Sequence, residues 1–332
     1  MSAVAAALDG LRRAGRAPAL VAGVWVLTLA ISLPLAVVMR GMLADHLGRS
    51  LTAESALRGA DYEWMQEFAD QASGVGVAFR PTIIGFGAVL DNLSAFADAA
   101  ARPAVIAAAA VAYIVAWLFL AGGIIDRLAR DRPSRAHGFF AACGVFCFRF
   151  LRRAAAQAIV YGFLFGPMHR WLFDRLYPRM VHEVTVERTA FLARVVLYVV
   201  FGVLVAGSAL VFDYAKVRAV VEDRRSMLGS IAASVGFIRR NYAGAVSLFA
   251  IDFLLFAAVV ALYALAAPGP GRSTLTIAIS VAVGQLYVLA RLCTKLVFWA
   301  SEAALFQSRL AHAGYTARPE PVWPESPAAE MI

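Results

Sequence analysis

The chain has 332 residues, 61% of them hydrophobic, with a mean hydropathy of +0.71. A soluble domain sits nearer to about 45–50% apolar, so the composition excludes an ordinary soluble globular protein and points to lipid-facing surface. The net charge is +9, yet the arginines gather beside apolar runs and no helix-turn-helix or RNA-binding signature accompanies them, so nucleic-acid binding is not expected.

Six apolar runs occupy residues 17–38, 103–125, 154–173, 191–212, 243–267 and 274–300. Each is close to the roughly 20 residues that cross a bilayer as a helix. Together they leave no room for a separate soluble catalytic domain. Arg12, Arg13 and Arg16 precede the first run in the manner of a signal peptide. The run is too long for a secretory h-region, and Val38-Met39-Arg40 offers no small-x-small cleavage site, so it reads as an uncleaved first span.

Residues 41–102 form the only long external segment, which we expect to be a helical cap. One amphipathic stretch carries Leu57, Tyr62, Trp64, Met65 and Phe68 among acidic residues. After Gly74-Val75-Gly76 and Pro81, a second carries Ile84, Phe86, Leu90, Leu93 and Phe96 near helical spacing. The quartet Asp61, Glu63, Glu67 and Asp70 reads either as a solvated helix face, the simpler case, or as a cation or substrate site.

The basic residues set an expected topology. Arg12, Arg13 and Arg16 flank the first run. Arg127, Arg130, Arg132, Arg135, Arg149, Arg152 and Arg153 lie between the second and third. Lys216, Arg218, Arg224, Arg225, Arg239 and Arg240 lie between the fourth and fifth. Six crossings place all three groups on the cytoplasmic side, with both termini there. Arg175, Arg179 and Arg188 dissent, because this model puts them outside. A re-entrant third run, interrupted at Gly166-Pro167, is the alternative.

The chain also repeats itself. Phe150-Leu151-Arg152-Arg153 recurs as Phe237-Ile238-Arg239-Arg240, an offset of 237 − 150 = 87. The same offset carries Asp126 onto Asp213, Ala156 onto Ala243 and Ala158 onto Ala245. One unit is span, aspartate, amphipathic helix, basic pair, span, at about 103–175 and again at 190–266. The amphipathic stripes are Phe139, Cys143, Phe146 and Phe150, then Met227, Ile231, Val235 and Ile238. Two cytoplasmic interfacial helices are expected from them. Arg152, Arg153, Arg224, Arg225, Arg239 and Arg240 would meet headgroups, with anionic lipid favoured.

This repeated unit, over about 103–310, resembles bacterial six-span membrane families of unassigned function. Among them is the membrane domain that precedes some glycerophosphodiester phosphodiesterases. The resemblance implies a membrane fold. It implies no phosphodiesterase activity, because no such catalytic domain accompanies the runs.

Ionisable residues inside a span are functional candidates. Asp252 in the fifth run and Arg291 and Lys295 in the sixth lie at matching depth, so an intramembrane charge pair is expected, either structural or part of a relay. Gln157 and Gln285 could extend a polar path. Trp171 and Trp299 suit interfacial anchoring, and Gly122, Gly123, Gly202 and Gly207 suit close helix approach. His182-Glu183 is not followed by the residues of an HExxH zinc site, and no nucleophile elbow, P-loop or dinucleotide fingerprint occurs. Cys143 and Cys147 read as packing, and neither a disulfide, a metal nor a cofactor is expected.

The expected fold is all-α: a polytopic integral membrane helical bundle of six transmembrane helices, as one domain over 1–316 with a disordered cytoplasmic tail at 317–332. The expected protein is a bacterial inner-membrane scaffold or accessory subunit, non-enzymatic, associated with lipid and an unknown protein partner. The alternative is a small-solute or lipid transporter using the repeat interface and Asp252, Arg291 and Lys295. A lipid-modifying enzyme using the external carboxylates is the third.

Overall fold

The computed structural model describes residues 1–51, 53–58, 61–80, 85–267 and 273–310. The expectations for Pro81, Ile84 and the tail from 317 lie outside the described residues. Every regular element among those residues is helical.

The order begins with α1 (Ala3–Gly15), whose first turn is capped by the Ser2 hydroxyl accepting from the Ala5 amide at 3.2 Å. Next comes α2 (Pro18–Leu47), with Pro18 in its first turn, where its missing N–H costs nothing. Three short helices follow: α3 (Ala53–Arg58), α4 (Tyr62–Gln71) and α5 (Gly85–Ala97). Then come α6 (Ala104–Arg130) and α7 (Ala136–Phe163). Wide π-turns at Leu164–Met168 and Trp171–Leu176 carry α7 into the short α8 (Tyr177–Val181). The chain continues with α9 (Glu187–Val221), α10 (Met227–Arg240), α11 (Tyr242–Ala266) and α12 (Thr274–Ser308).

Five of these helices, α2, α6, α9, α11 and α12, are long and apolar enough to cross a bilayer. The chain is therefore a multi-pass membrane protein. The third expected run is not among the five. It falls on the end of α7 and the π-turns. His169 and Arg170 lower its hydropathy, and Pro167, which cannot donate to the helical ladder, sits within the first wide turn.

One end of the bundle, here called basal, is marked by α1. Arg13 donates to Leu128 O at 3.2 Å and to Gln307 Oε1 at 2.9 Å, and Arg309 donates to Met1 O at 3.3 Å. The start of α1 and the ends of α6 and α12 thus lie together. Ala6, Tyr214, Val217, Phe237, Ala245, Leu248 and Phe306 share one core there, so the end of α9 and the start of α11 are basal too. A second core joins Trp117, Ile124, Phe146, Phe150, Leu296 and Trp299.

At the distal end α5 lies across the spans. Its Phe96 meets Phe165 at 4.9 Å, Phe86 meets Tyr263 at 6.4 Å, and the Ala97 carbonyl lies 2.9 Å from His169 Nε2. The hydroxyl of Tyr198, near the start of α9, donates to Asp98. On the other side, His46 near the end of α2 sits edge-on to Trp64 and Phe68 of α4, at 5.8 and 5.3 Å.

Burial falls steeply from base to distal end. On α12, Leu296, Ala300, Ala303 and Leu305 are fully buried, whereas Leu275, Ile277, Val281 and Leu286 are exposed. The exposed apolar faces of the distal halves suit contact with acyl chains. Even the basal helices are apolar outside. Beyond its buried Ala6, Gly10 and Ala14, α1 exposes Val4, Leu8 and Leu11. Beyond its buried Cys143, Phe146 and Phe150, α7 exposes Phe140, Val145, Phe148 and Leu151.

The two amphipathic segments differ from each other. The first is no separate interfacial helix: it is the leading half of α7, packed on α6. The second, α10, is separate, because the backbone bends at Asn241, whose side-chain amide donates to Phe237 O at 3.1 Å. The stripe expected on α7 is the buried one. The face of α10 is rotated from expectation: Met227, Ser230, Ser234, Phe237 and Ile238 are buried, while Val235 is exposed.

Close approaches are made by Gly10, Gly122 and Gly123. A Cβ on Gly10 would stand 2.6 Å from the Ser301 backbone nitrogen, and one on Gly123 2.6 Å from Cys143 Sγ. Gly202 and Gly207 meet nothing within 4 Å, so the close packing expected of them is not made.

Candidate functional site

The spacing that turns residues inward at the base also collects polar groups there. On α12, Lys295, Trp299 and Glu302 are i, i+4 and i+7 and share a face. On α9, Asp213, Tyr214 and Lys216 lie in one turn, and α11 contributes Asp252. The second half of α7 contributes Arg153 and Gln157. Tyr214, Asp252, Ser301 and Glu302 are all at most 2% exposed.

Each cation has its own support. Lys216 forms an ion pair with Asp213, and its ammonium lies 4.5 Å from the Trp299 ring centroid. The Lys295 ammonium sits 3.5 Å from the Trp117 ring centroid and 5.6 Å from that of Trp299. Such desolvated cation–π contacts contribute about 2 kcal/mol. Arg153 donates to Gln157 Oε1 at 2.6 Å and lies over the Phe150 ring.

The acids differ. Ser301 donates to Asp252 Oδ2 at 2.6 Å, but among the described residues Asp252 Oδ1, both oxygens of Glu302 and the Tyr214 hydroxyl have no hydrogen-bond partner. Buried polar atoms are rarely left so. Glu302 lies within electrostatic range of Asp213, Lys216 and Asp252, but among the described residues no ion pair within 4 Å reaches it.

These positions revise the charge pair expected from depth alone. Asp252 is bonded to Ser301, and no ion pair within 4 Å joins it to Arg291 or Lys295. Arg291 is exposed, one turn before Lys295 on the same helix, and Lys295 turns to the tryptophans. Equal depth on neighbouring helices does not fix their relative rotation, and rotation decides the partner. Of the residues expected to meet headgroups, Arg152, Arg224, Arg225, Arg239 and Arg240 are exposed. Arg153 is the correction: it is buried, because it follows Phe150 by three residues on the inward face. Trp299 is likewise buried and does not anchor an interface, whereas Trp171 is exposed. Gln285 accepts from Trp25 Nε1 at 2.9 Å and so ties α12 to α2, away from the cluster.

Sequence reading missed Glu302, Ser301 and Tyr214. Glu302 lies just past the apolar run that ends at residue 300. Its i+7 relation to Lys295 was the available signal.

Among the described residues no three His, Cys, Asp or Glu side chains converge as a metal site. At the distal end, Asp61 caps α4 by accepting from the Trp64 amide at 3.0 Å. The Ser55 hydroxyl, and after it the Trp64 amide, holds the Asp61 carboxyl below the usual carboxylate range. Glu63, Glu67 and Asp70 are exposed along α4, as a solvated face would be.

No family model, curated protein or solved structure matches this chain.

Proposed function

We propose that the protein is a non-enzymatic scaffold or accessory subunit of the bacterial inner membrane, associated with anionic lipid and a protein partner. The observation that carries this reading is the closed base: Gly10 of α1 lies against the Ser301 backbone, and Gly122 and Gly123 lie equally close to α7. A base locked at backbone distance is a rigid platform. From it the distal helices spread apolar faces into lipid, and α1 adds an outward ridge of Val4, Leu8 and Leu11 beside Arg12 and Arg16. An apolar ridge flanked by arginine suits a surface bearing anionic headgroups.

Six crossings with a cytoplasmic base complete the proposal. The helix α6 ends at the base and α9 begins at the distal end, and a return of 131–186 between them would be the sixth crossing. The leading half of α7 packs beside α6, and its π-turned end reaches α5. Arg13, Arg16, Arg127, Arg130 and Arg218 lie towards the base, as the positive-inside rule requires of a cytoplasmic side. The repeat at an offset of 87 residues and the resemblance to six-span families support the same count.

A transporter is the second reading, favoured by the unpartnered buried carboxylates of Asp252 and Glu302. Leu248→Cys, one turn from Asp252 and fully buried, separates the two when the native cysteines are replaced. In inside-out vesicles a membrane-impermeant maleimide is expected to leave this cysteine unlabelled while labelling Arg225→Cys. Labelling of Leu248→Cys at a comparable rate in the folded protein would show a base that opens, and would replace the scaffold by the transporter.

A further inference from the structure

The basal carboxylates lack the cations that surround them. Lys216 is taken by Asp213, Lys295 by Trp117, and Arg153 by Gln157. Asp252 and Glu302 lie within electrostatic range of each other across the α11–α12 contact, and among the described residues neither forms an ion pair. Two bare carboxylates in a site at most 2% exposed carry a large desolvation cost. The Tyr214 hydroxyl lies within electrostatic range of both carboxylates and, among the described residues, has no hydrogen-bond partner either. The oxygen donors here are Asp252 Oδ1, Glu302 Oε1 and Oε2, Tyr214 Oη and Ser301 Oγ. Among the described residues no three His, Cys, Asp or Glu side chains converge as a metal site, so the set does not suit a transition metal or a tightly held divalent ion.

We propose that Asp252, Glu302, Tyr214 and Ser301 form a buried site for one monovalent cation, sodium or a proton, that locks the base. Either ion neutralises one carboxylate and gives the unpartnered oxygens a shared electrophile. The lock follows from position. Ser301, which holds Asp252, is also the residue against which Gly10 of α1 packs. The occupied site thus braces α11 and α12 beneath α1. This goes beyond the scaffold reading and does not depend on it.

The charged and titratable groups facing the site are Asp213, Tyr214 and Lys216 from α9 and Asp252 from α11. Lys295 and Glu302 come from α12 and Arg153 from α7, while α1, packed on α12, carries Asp9 and Arg13 as a pair of their own at 2.9 Å.

The test is thermal unfolding of the purified full-length protein in detergent, at constant ionic strength, with choline chloride replaced stepwise by sodium chloride. At about pH 8 sodium in the site is expected to raise Tm saturably, by about 5 °C, and Glu302→Gln to abolish the rise. If a proton is the occupant, sodium has no effect. Tm then rises as pH falls from about 8 to about 6, and Glu302→Gln flattens that dependence. Should Glu302→Gln fail to fold, Tyr214→Phe, which removes one donor and keeps the ring, is expected to weaken the sodium midpoint or shift the pH midpoint about tenfold. A wild-type Tm indifferent to both ions overturns the proposal. So does a dependence that the Glu302 variant, or in its place the Tyr214 variant, leaves unchanged.

Discussion

Gly10→Leu is expected to detach α1 from the bundle. A Cβ at this position would stand 2.6 Å from Ser301 N, 2.7 Å from Ser301 Cβ and 2.8 Å from Ser301 Cα. The obstruction is backbone as well as side chain, so it cannot rotate away. Overpacking of a tight core costs about 1–3 kcal/mol, and here it also strips cover from Ala6, Tyr214 and Phe306 in the shared core. We expect a loss near the top of that range. It should be read as a lower unfolding temperature in detergent and as early proteolysis between α1 and α2. Gly23→Leu, where nothing lies within 4 Å of the added Cβ, is the control and should remain close to wild type. Equal behaviour of the two variants would mean that α1 is not docked on α12.

Arg153→Gln and Arg152→Gln are expected to part company, although the residues are adjacent and identical. Arg153 is buried, bonded to Gln157 at 2.6 Å and close to the charge of Asp213. Hydrogen bonds to charged groups contribute about 1.5–3 kcal/mol, so its loss should lower stability by about 2 kcal/mol. Arg152 is exposed, and its removal should leave the unfolding temperature within error. Its effect should fall on lipid, as weaker retention on vesicles containing anionic lipid, by about 1 kcal/mol per basic residue lost. Chemical unfolding and a vesicle flotation assay read the two effects separately. A stability loss at Arg152 with none at Arg153 would contradict the inward face assigned to α7.

The contrast shows what the sequence makes legible. Five spans could be read because a run of some twenty apolar residues has few other uses. The buried stripe of α7 could be read because Phe139, Cys143, Phe146 and Phe150 are large or apolar at helical spacing. The face of α10 could not, because its buried side carries Ser230 and Ser234 and its exposed side carries Val235. When lipid or a headgroup layer covers one side, apolar no longer means inward. The third run was ambiguous for a related reason: Pro167, His169 and Arg170 interrupt it where the helix widens into π-turns.

The candidate site was half legible. Asp252 and Lys295 stand out as charges within apolar runs, and both belong to the buried cluster. Their partners depend on helix rotation and on residues far away in the chain, as with Lys295 on Trp117 and Asp252 on Ser301. Glu302 was hidden by its place beyond the run. The glycine that matters most for closure, Gly10, lies outside every span, whereas Gly202 and Gly207 lie inside one and touch nothing. Close approach is a property of two surfaces, and a single sequence displays one.

The path of residues 131–186 decides the architecture, because a return from base to distal end makes the sixth crossing and puts both ends of the membrane domain on one side. Single-cysteine labelling from each face of sealed membranes measures this directly, at positions 135, 182 and 225 in a background without native cysteines. The account predicts that 135 and 225 react only from the cytoplasmic face and 182 only from the opposite one. Reaction of 182 from the cytoplasmic face would mean that α7 and its π-turns re-enter without crossing, and would contradict the six-crossing bundle.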